Sequence, residues 1–471
     1  MKWCFIISPI AFFTEFLGKF TQEIIKQGDE CLLIFNGKTS EYITRDRFPQ
    51  EVRVLSKVDW CKNNYKKGGV INDVSWKEFF ADYDRFNLKS WGFEKSKEMV
   101  SQLYCFTDFV LKNEKPEVVI YEPPSGTSSE IAYYLCQKHK IPYLGMIASR
   151  IKGQIDLYDL EHTCSKYEND FKKIENILPK ERKFANDFVA NFISHKQVPS
   201  YMKIHSSKPQ NLAAIRRYSK KSLKTLPAWM KYLEERNEVK DFDHESEMQL
   251  GYRIKYPWKA FLTRIKVWFQ GNVFWPMNKN DEFFLFPLHI QPESSTSVLA
   301  TYYYDQINTI KNTAFCLPFP YKLYVKEHPV IRGDRPFDFY KKIKEIPNVV
   351  LISPLENTEE VVKRSKGVVT LTSTIGLEAA LAGKPVYVLG NVFYSHHPSC
   401  RKIAGFEDLK EKIKKDLEKP ERVENLEEKN ISFMVSYARN TIKGDISSAS
   451  SGKDTNDYKE MIKEIKDKFF K

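Results

Sequence analysis

The stretch VVTLTSTIGLEAALAGKPVYVLG, residues 368–390, decides how this chain folds. An apolar run, Val368 to Leu371, has the length and β-branched content of a buried strand. It meets Thr372, Ser373 and Thr374, then Gly376 and a helix-like stretch carrying Glu378. Gly383-Lys384-Pro385 ends that stretch, and a second apolar run, 386–389, follows. Strand, helix, strand is the unit of a parallel sheet with covering helices. Hydroxyls at a helix start satisfy its unpaired N–H groups, which is ordinary capping. The same small residues also let a phosphate approach the positive end of the helix. Both readings fit, and the phosphate loop with Gly-x-x-x-x-Gly-Lys is absent.

Working outward, the rhythm repeats on both sides. "EFFLFPLHI" (282–290), "YKLYVKEHP" (321–329), "VVLIS" (349–353) and "GVVTLT" (367–372) read as strands. "TSVLATYYYDQINTIKNTAFCL" (296–317) and "NTEEVVKRSK" (357–366) read as helices, and "PVYVLG" (385–390) as the last strand. The first ~150 residues show the same alternation. There "WCFIIS" (3–8), "ECLLIFN" (30–36), "PEVVIYE" (116–122) and "IPYLGMIAS" (141–149) are strands, and 13–29 and 128–140 are helices. The expected fold is α/β, with two Rossmann-like parallel-sheet domains and a ligand cleft between them. The boundaries expected are 1–160 and 281–405 for these domains, 161–280 for a basic aromatic helical insertion, and 406–471 for C-terminal helices and tail. "SSASSG" (447–452) reads as a flexible linker.

In such sheets functional groups gather where strands end. In "LYVKEHPVIRGDRP" (323–336) a strand delivers Lys326, Glu327 and His328 to its C-terminal end. A histidine there donates to phosphate and a lysine supplies charge, although a surface His-Pro turn has the same sequence. In "FPLHIQPESSTS" (286–297) a strand ends in Gln291, Pro292 and Glu293, and Ser294 opens the next helix. All three polar clusters follow strands of one domain, so a parallel sheet brings them to one edge.

In this order and spacing, "FPLHIQPESSTS", "LYVKEHP" and "TLTSTIGLEAALAGKPVYVLGNVFY" resemble the capsule polysaccharide biosynthesis family, which includes bacterial capsule Kdo transferases. The resemblance covers mainly residues 281–400. It implies a GT-B-like fold and a metal-independent glycosyltransferase that takes a nucleotide sugar, often CMP-linked, as substrate and needs no further cofactor. By the same resemblance His328 contacts the donor phosphate or nucleotide, Lys326 and Thr372–Ser373–Thr374 with Gly376 hold phosphate, and Glu378 reaches ribose hydroxyls. Gln291, Glu293 and Ser294 join that site. The first domain then holds the acceptor, a lipid-linked or polymeric glycan. Glu122, at a strand's end in "VVIYEPPSGTSSE", is the candidate general base, with Glu15 after the first strand as its rival. Arg150 is placed to meet an anionic sugar or phosphate. Two other functions remain open: a polyol-phosphate transferase of a teichoic-type polymer, and a non-catalytic assembly or export protein.

Composition narrows the partners. The formal net charge of +13 calls for an anionic partner. Basic and aromatic residues interleave across 208–275, a pattern that suits either an anionic membrane surface or an inter-domain helical pack with solvated charges, and no nucleic-acid motif occurs. The eight scattered cysteines include no Cys-x-x-Cys pair, which fits a reduced cytoplasmic protein without structural zinc. His396-His397 lacks a carboxylate at a partner spacing, so no metal site is expected. The N-terminus imitates a short signal peptide, but Glu15 and Lys19 interrupt it, and a strand followed by a helix explains it better.

Overall fold

The computed structural model describes residues 1–68, 71–83, 88, 91–194, 224–251, 253, 262, 273–328, 335–450 and 454–470. The chain forms two compact units. The first comprises 1–165, 199–254 and 439–471, and the second comprises 166–198 and 255–438.

The strands of the first unit begin with β1 (Lys2–Ile7), β2 (Glu30–Phe35) and β3 (Arg53–Ser56). They continue with β4 (Val118–Tyr121), β5 (Tyr143–Ala148) and β6 (Gln154–Tyr158). The second unit holds β7 (Phe283–Pro287), β8 (Lys322–Lys326) and β9 (Val349–Ile352). It also holds β10 (Val368–Thr370), β11 (Val386–Val388) and β12 (Cys400–Lys402). Last, β13 (Thr441–Lys443) returns to the first unit.

The first sheet has the order β13-β6-β5-β4-β1-β2-β3. It is parallel except that β6 runs against both β5 and β13. Its central strands β1 and β4 are buried on both faces, which is why they read as unbroken apolar runs. Along β1 the side chains alternate: Trp3, Phe5 and Ile7 enter one core, and Cys4 and Ile6 the other. The helix Ala11–Lys26 covers the first of these faces with Phe16, Leu17, Phe20 and Ile24. Strand and helix thus replace the apparent signal peptide.

The second sheet, β12-β11-β10-β7-β8-β9, is parallel throughout. Phe284 and Phe286 of β7 share a core with Leu323 and Val325 of β8 and Val369 of β10. Both units are therefore α/β and Rossmann-like, the fold class expected from the sequence. No helix among the described residues is long and apolar enough to cross a membrane.

Several local expectations need correction. The helix read across 296–317 is broken into Ser294–Ser297, a turn at Thr301–Tyr303 and Gln306–Cys316. Its hydroxyls turn back on the main chain: Thr296 and Ser297 donate to the Glu293 carbonyl, and Thr301 to that of Ser297. Asp305 then caps a fresh start by accepting from the Asn308 N–H. Residues 385–390 are not the last strand, since β12 and β13 follow. The supposed linker is in part packed, with Ser448 and Ala449 buried. Most of the basic aromatic stretch, including Trp258, Phe261, Trp268 and Phe269, lies outside the described residues. Its described portion, the helix Leu226–Val239, buries Trp229, Tyr232 and Val239 in a small cluster with Val58.

Candidate functional site

The second sheet reverses its strand order between β7 and β10: β8 and β9 lie to one side, β11 and β12 to the other. Ligands of open α/β sheets bind outside the carboxyl ends of the strands at such a switch point. Val368 pairs with Leu285, so the loops that follow these strands leave the sheet side by side.

His289 joins them. Its Nε2 accepts the Thr372 N–H at 3.0 Å, and the Thr372 hydroxyl donates to the Ser295 carbonyl at 2.9 Å. The sequence motif contained His289, but nothing in its spacing singled it out. Ser373 is the N-cap of the helix Thr374–Leu381, and its Oγ accepts from the Ile375 N–H at 3.2 Å. The Ser373 N–H donates to Thr370 Oγ1 (3.0 Å), and the Gly376 N–H to the Ser373 carbonyl (2.9 Å). Most N–H groups of the opening motif are therefore engaged internally. Thr374 keeps its N–H and hydroxyl without a partner among the described residues. Gly376 admits the Tyr394 hydroxyl, which a Cβ there would strike.

The neighbouring β8 adds the second motif. Glu327 is fully buried and binds three donors. These are the His328 N–H at 2.6 Å, the Tyr340 hydroxyl at 2.7 Å and Arg335 Nε at 3.1 Å. Arg335 also donates to the His289 carbonyl, so one ion pair ties the His-Pro loop to the loop after β7. His328 is half-buried and acts electrostatically on His289. Lys326 is buried, donates to the Pro354 carbonyl at 3.0 Å, and has its amine pKa lowered by burial. Burial pushes the Glu378 carboxyl up to about 8 against the opposing pull of Lys326. A carboxyl held that high carries its proton at neutral pH and can donate a hydrogen bond.

The structure thus places Lys326, His328, Thr372, Ser373 and Glu378 at the ends of β8 and β10, the strands on either side of β7, and on the helix that follows β10. Gln291 donates to the Tyr304 carbonyl at 2.6 Å. Glu293 caps the short Ser294–Ser297 helix, where its carboxylate accepts from Ser295 Oγ at 3.2 Å. The Ser294 carbonyl accepts from Val298 and Leu299.

The remaining candidates belong to the first unit. Glu122 follows β4 directly and is half-buried, and its carbonyl accepts the Tyr143 hydroxyl at 2.5 Å. Glu15 lies on the helix Ala11–Lys26, 3.2 Å from Arg47 Nε. Arg150 sits in the turn between β5 and β6. Two carboxyls of the first unit escaped the sequence reading. Asp82 accepts the Thr127 N–H at 2.7 Å at the start of the helix after β4. Glu130, one turn on, is buried and pushed up by burial and the Glu161 carboxylate. Among the described residues no group of three His, Cys, Asp or Glu side chains is arranged to hold a metal ion.

The second sheet is an all-parallel α/β sheet with polar loops at its switch point, the place where such sheets take ligands. Residues 272–426 match the family model described as capsule polysaccharide biosynthesis protein. The match spans the three motifs read from the sequence. No curated protein matches the chain in sequence. Among solved structures, it is similar to UDP-GlcNAc 2-epimerase from Neisseria meningitidis bound to UDP-GlcNAc. The identity is 14%, over 96% of this chain and 98% of that one, with a TM-score of 0.24. It is also similar to the beta Kdo 2,4 transferase of Thermosulfurimonas dismutans KpsC, at 13% identity over 69% and 79% of the two chains, TM-score 0.36. The beta Kdo 2,7 transferase of the same KpsC gives 11% identity over 69% and 78%, TM-score 0.30.

Proposed function

We propose that the chain is a glycosyltransferase of GT-B type in the synthesis of a capsular or other surface polysaccharide. Its donor is a nucleotide sugar bound by the second unit, with a CMP-linked sugar the best fit. The observation that carries this reading is the gathering of the three motif loops at the switch point between β7 and β10. With the N–H groups of Thr372, Ser373, Ile375 and Gly376 already engaged, the 372–376 segment offers few donors to a ligand. One phosphate needs fewer than two, which favours a monophosphate-linked donor. The protonated Glu378 is suited to a ribose hydroxyl.

In the reaction, the acceptor hydroxyl gives up its proton to a general base and its oxygen bonds to the anomeric carbon. The bond from that carbon to the phosphate oxygen breaks, and the nucleoside phosphate leaves with the electron pair. His328 and the helix start at Thr374 stabilise the departing charge, so no metal ion is required. The acceptor is a lipid-linked or polymeric glycan, and the basic 208–275 stretch meets an anionic membrane surface.

The test is thermal stabilisation and turnover with CMP-, CDP- and UDP-linked sugars, with and without a chelator. Stabilisation and hydrolysis by a CMP-sugar, insensitive to the chelator, are expected. A response to CDP-polyols alone makes the chain a polyol-phosphate transferase. Indifference to every nucleotide refutes the enzymatic reading.

A further inference from the structure

His289 occupies the switch-point crevice itself, and its main chain is held from both sides. Gln306, also buried, accepts the His289 N–H at 2.8 Å through Oε1 and donates to the His289 carbonyl at 3.0 Å through Nε2. Arg335 donates to the same carbonyl. The ring is 5% exposed. A ring nitrogen that accepts a backbone N–H must present a lone pair, so the proton of the neutral imidazole resides on Nδ1. Nδ1 is buried without a hydrogen-bond partner among the described residues. Burial, then the neighbouring His328 and Arg335, hold the ring pKa down to about 3. Glu327 pairs with Arg335 at 3.1 Å.

Resting on the nucleotide-sugar reading above, we infer that His289 is a positioning residue of that site. Its Nε2 lone pair holds the Thr372 N–H and docks the 372–374 loop against the loop after β7, leaving Thr374 as the donor presented to the ligand. Among the described residues its companion is the bond from the Thr372 hydroxyl to the Ser295 carbonyl. Without an acceptor at 289, the Thr372 N–H is released and the helix start loses its register with the strand end. A glutamine at 289 can offer a carbonyl oxygen to the same N–H, whereas phenylalanine fills the space and offers nothing.

The first test needs only the full-length chain labelled with 15N-histidine, with the ring of 289 assigned by its loss in H289Q. The expected spectrum shows Nδ1 protonated and Nε2 bare, unchanged from about pH 5 to about pH 8. A proton on Nε2, or titration within that window, overturns the inference. The second test is calorimetric binding of CMP. H289F should bind about tenfold more weakly than wild type, and H289Q within about threefold of it. Wild-type affinity in H289F, or H289Q as weak as H289F, also overturns it. If the wild-type chain binds no nucleotide, the functional reading fails, while the ring spectrum still decides whether His289 holds the loop.

Discussion

Glu327 and Glu378 are both acidic residues of the second unit, yet burial gives them opposite duties. Glu327 accepts from Arg335, from the Tyr340 hydroxyl and from a backbone N–H, which together anchor the loop. Glu327→Gln leaves the Arg335 guanidinium buried with no counter-charge, which typically costs about 3–5 kcal/mol. Urea unfolding of the variant should show a loss of that size, and an unchanged midpoint would refute the account. Glu378 is a different case, with its carboxyl raised from 4.5 to about 8. A carboxyl with a folded pKa above its unfolded one binds its proton more tightly in the fold. Its stabilising contribution is present below pH 4.5 and is lost as pH rises toward about 8. Glu378→Gln should flatten the fall in stability across that range, measured by thermal melts against pH. The motif Lys-Glu-His-Pro was visible in the sequence, which drew attention to the flanking Lys326 and His328. That Glu327 anchors the loop was not visible, because its partner Arg335 lies eight residues away.

At the level of the element, the opening strand–helix–strand was legible because each part has a local cause. An unbroken apolar run buries the strand, Ser373 caps the helix, and Gly383 takes the left-handed conformation at its end (φ +75°). Gly376 has a non-local cause. Its missing side chain makes room for Tyr394, whose hydroxyl donates to the Ser373 carbonyl. Gly376→Ala should therefore overpack this corner and destabilise by about 1–3 kcal/mol. Tyr394→Phe removes the obstructing hydroxyl, so the double variant should lose less than the sum of the two single losses. Strict additivity in chemical denaturation would show that the two sites do not meet. The break between 297 and 306 was missed for a related reason. Helical spacing of apolar residues continues across it, while the hydroxyl-to-carbonyl bonds that stop the helix leave no periodic trace.

Over the whole molecule, the chain leaves the first unit and returns to complete it. β13 adds to the sheet edge beside β6, and the helix Tyr458–Phe469 buries Met461, Ile462 and Ile465 in the same core as Trp3 and Phe20. Each such side chain contributes about 1.5–3 kcal/mol when fully buried. A chain ending at Ala438 should consequently lose cooperative unfolding of the first unit, seen by circular dichroism and limited proteolysis. An intact first-unit transition would show that the tail is dispensable. The tail's helical spacing was legible in the sequence, but its destination was not.

The amino-acid sequence determined the alternation of strands and helices, the order of the three motifs and the family match of residues 272–426. These depend on periodicity, capping and turn residues within a few positions of one another. Only the tertiary structure decided that His289 meets Thr372 across 83 residues, and that Thr374 keeps its donors free of partners among the described residues. Such contacts follow from strand order and register, which arise when the whole sheet packs and which no single segment encodes.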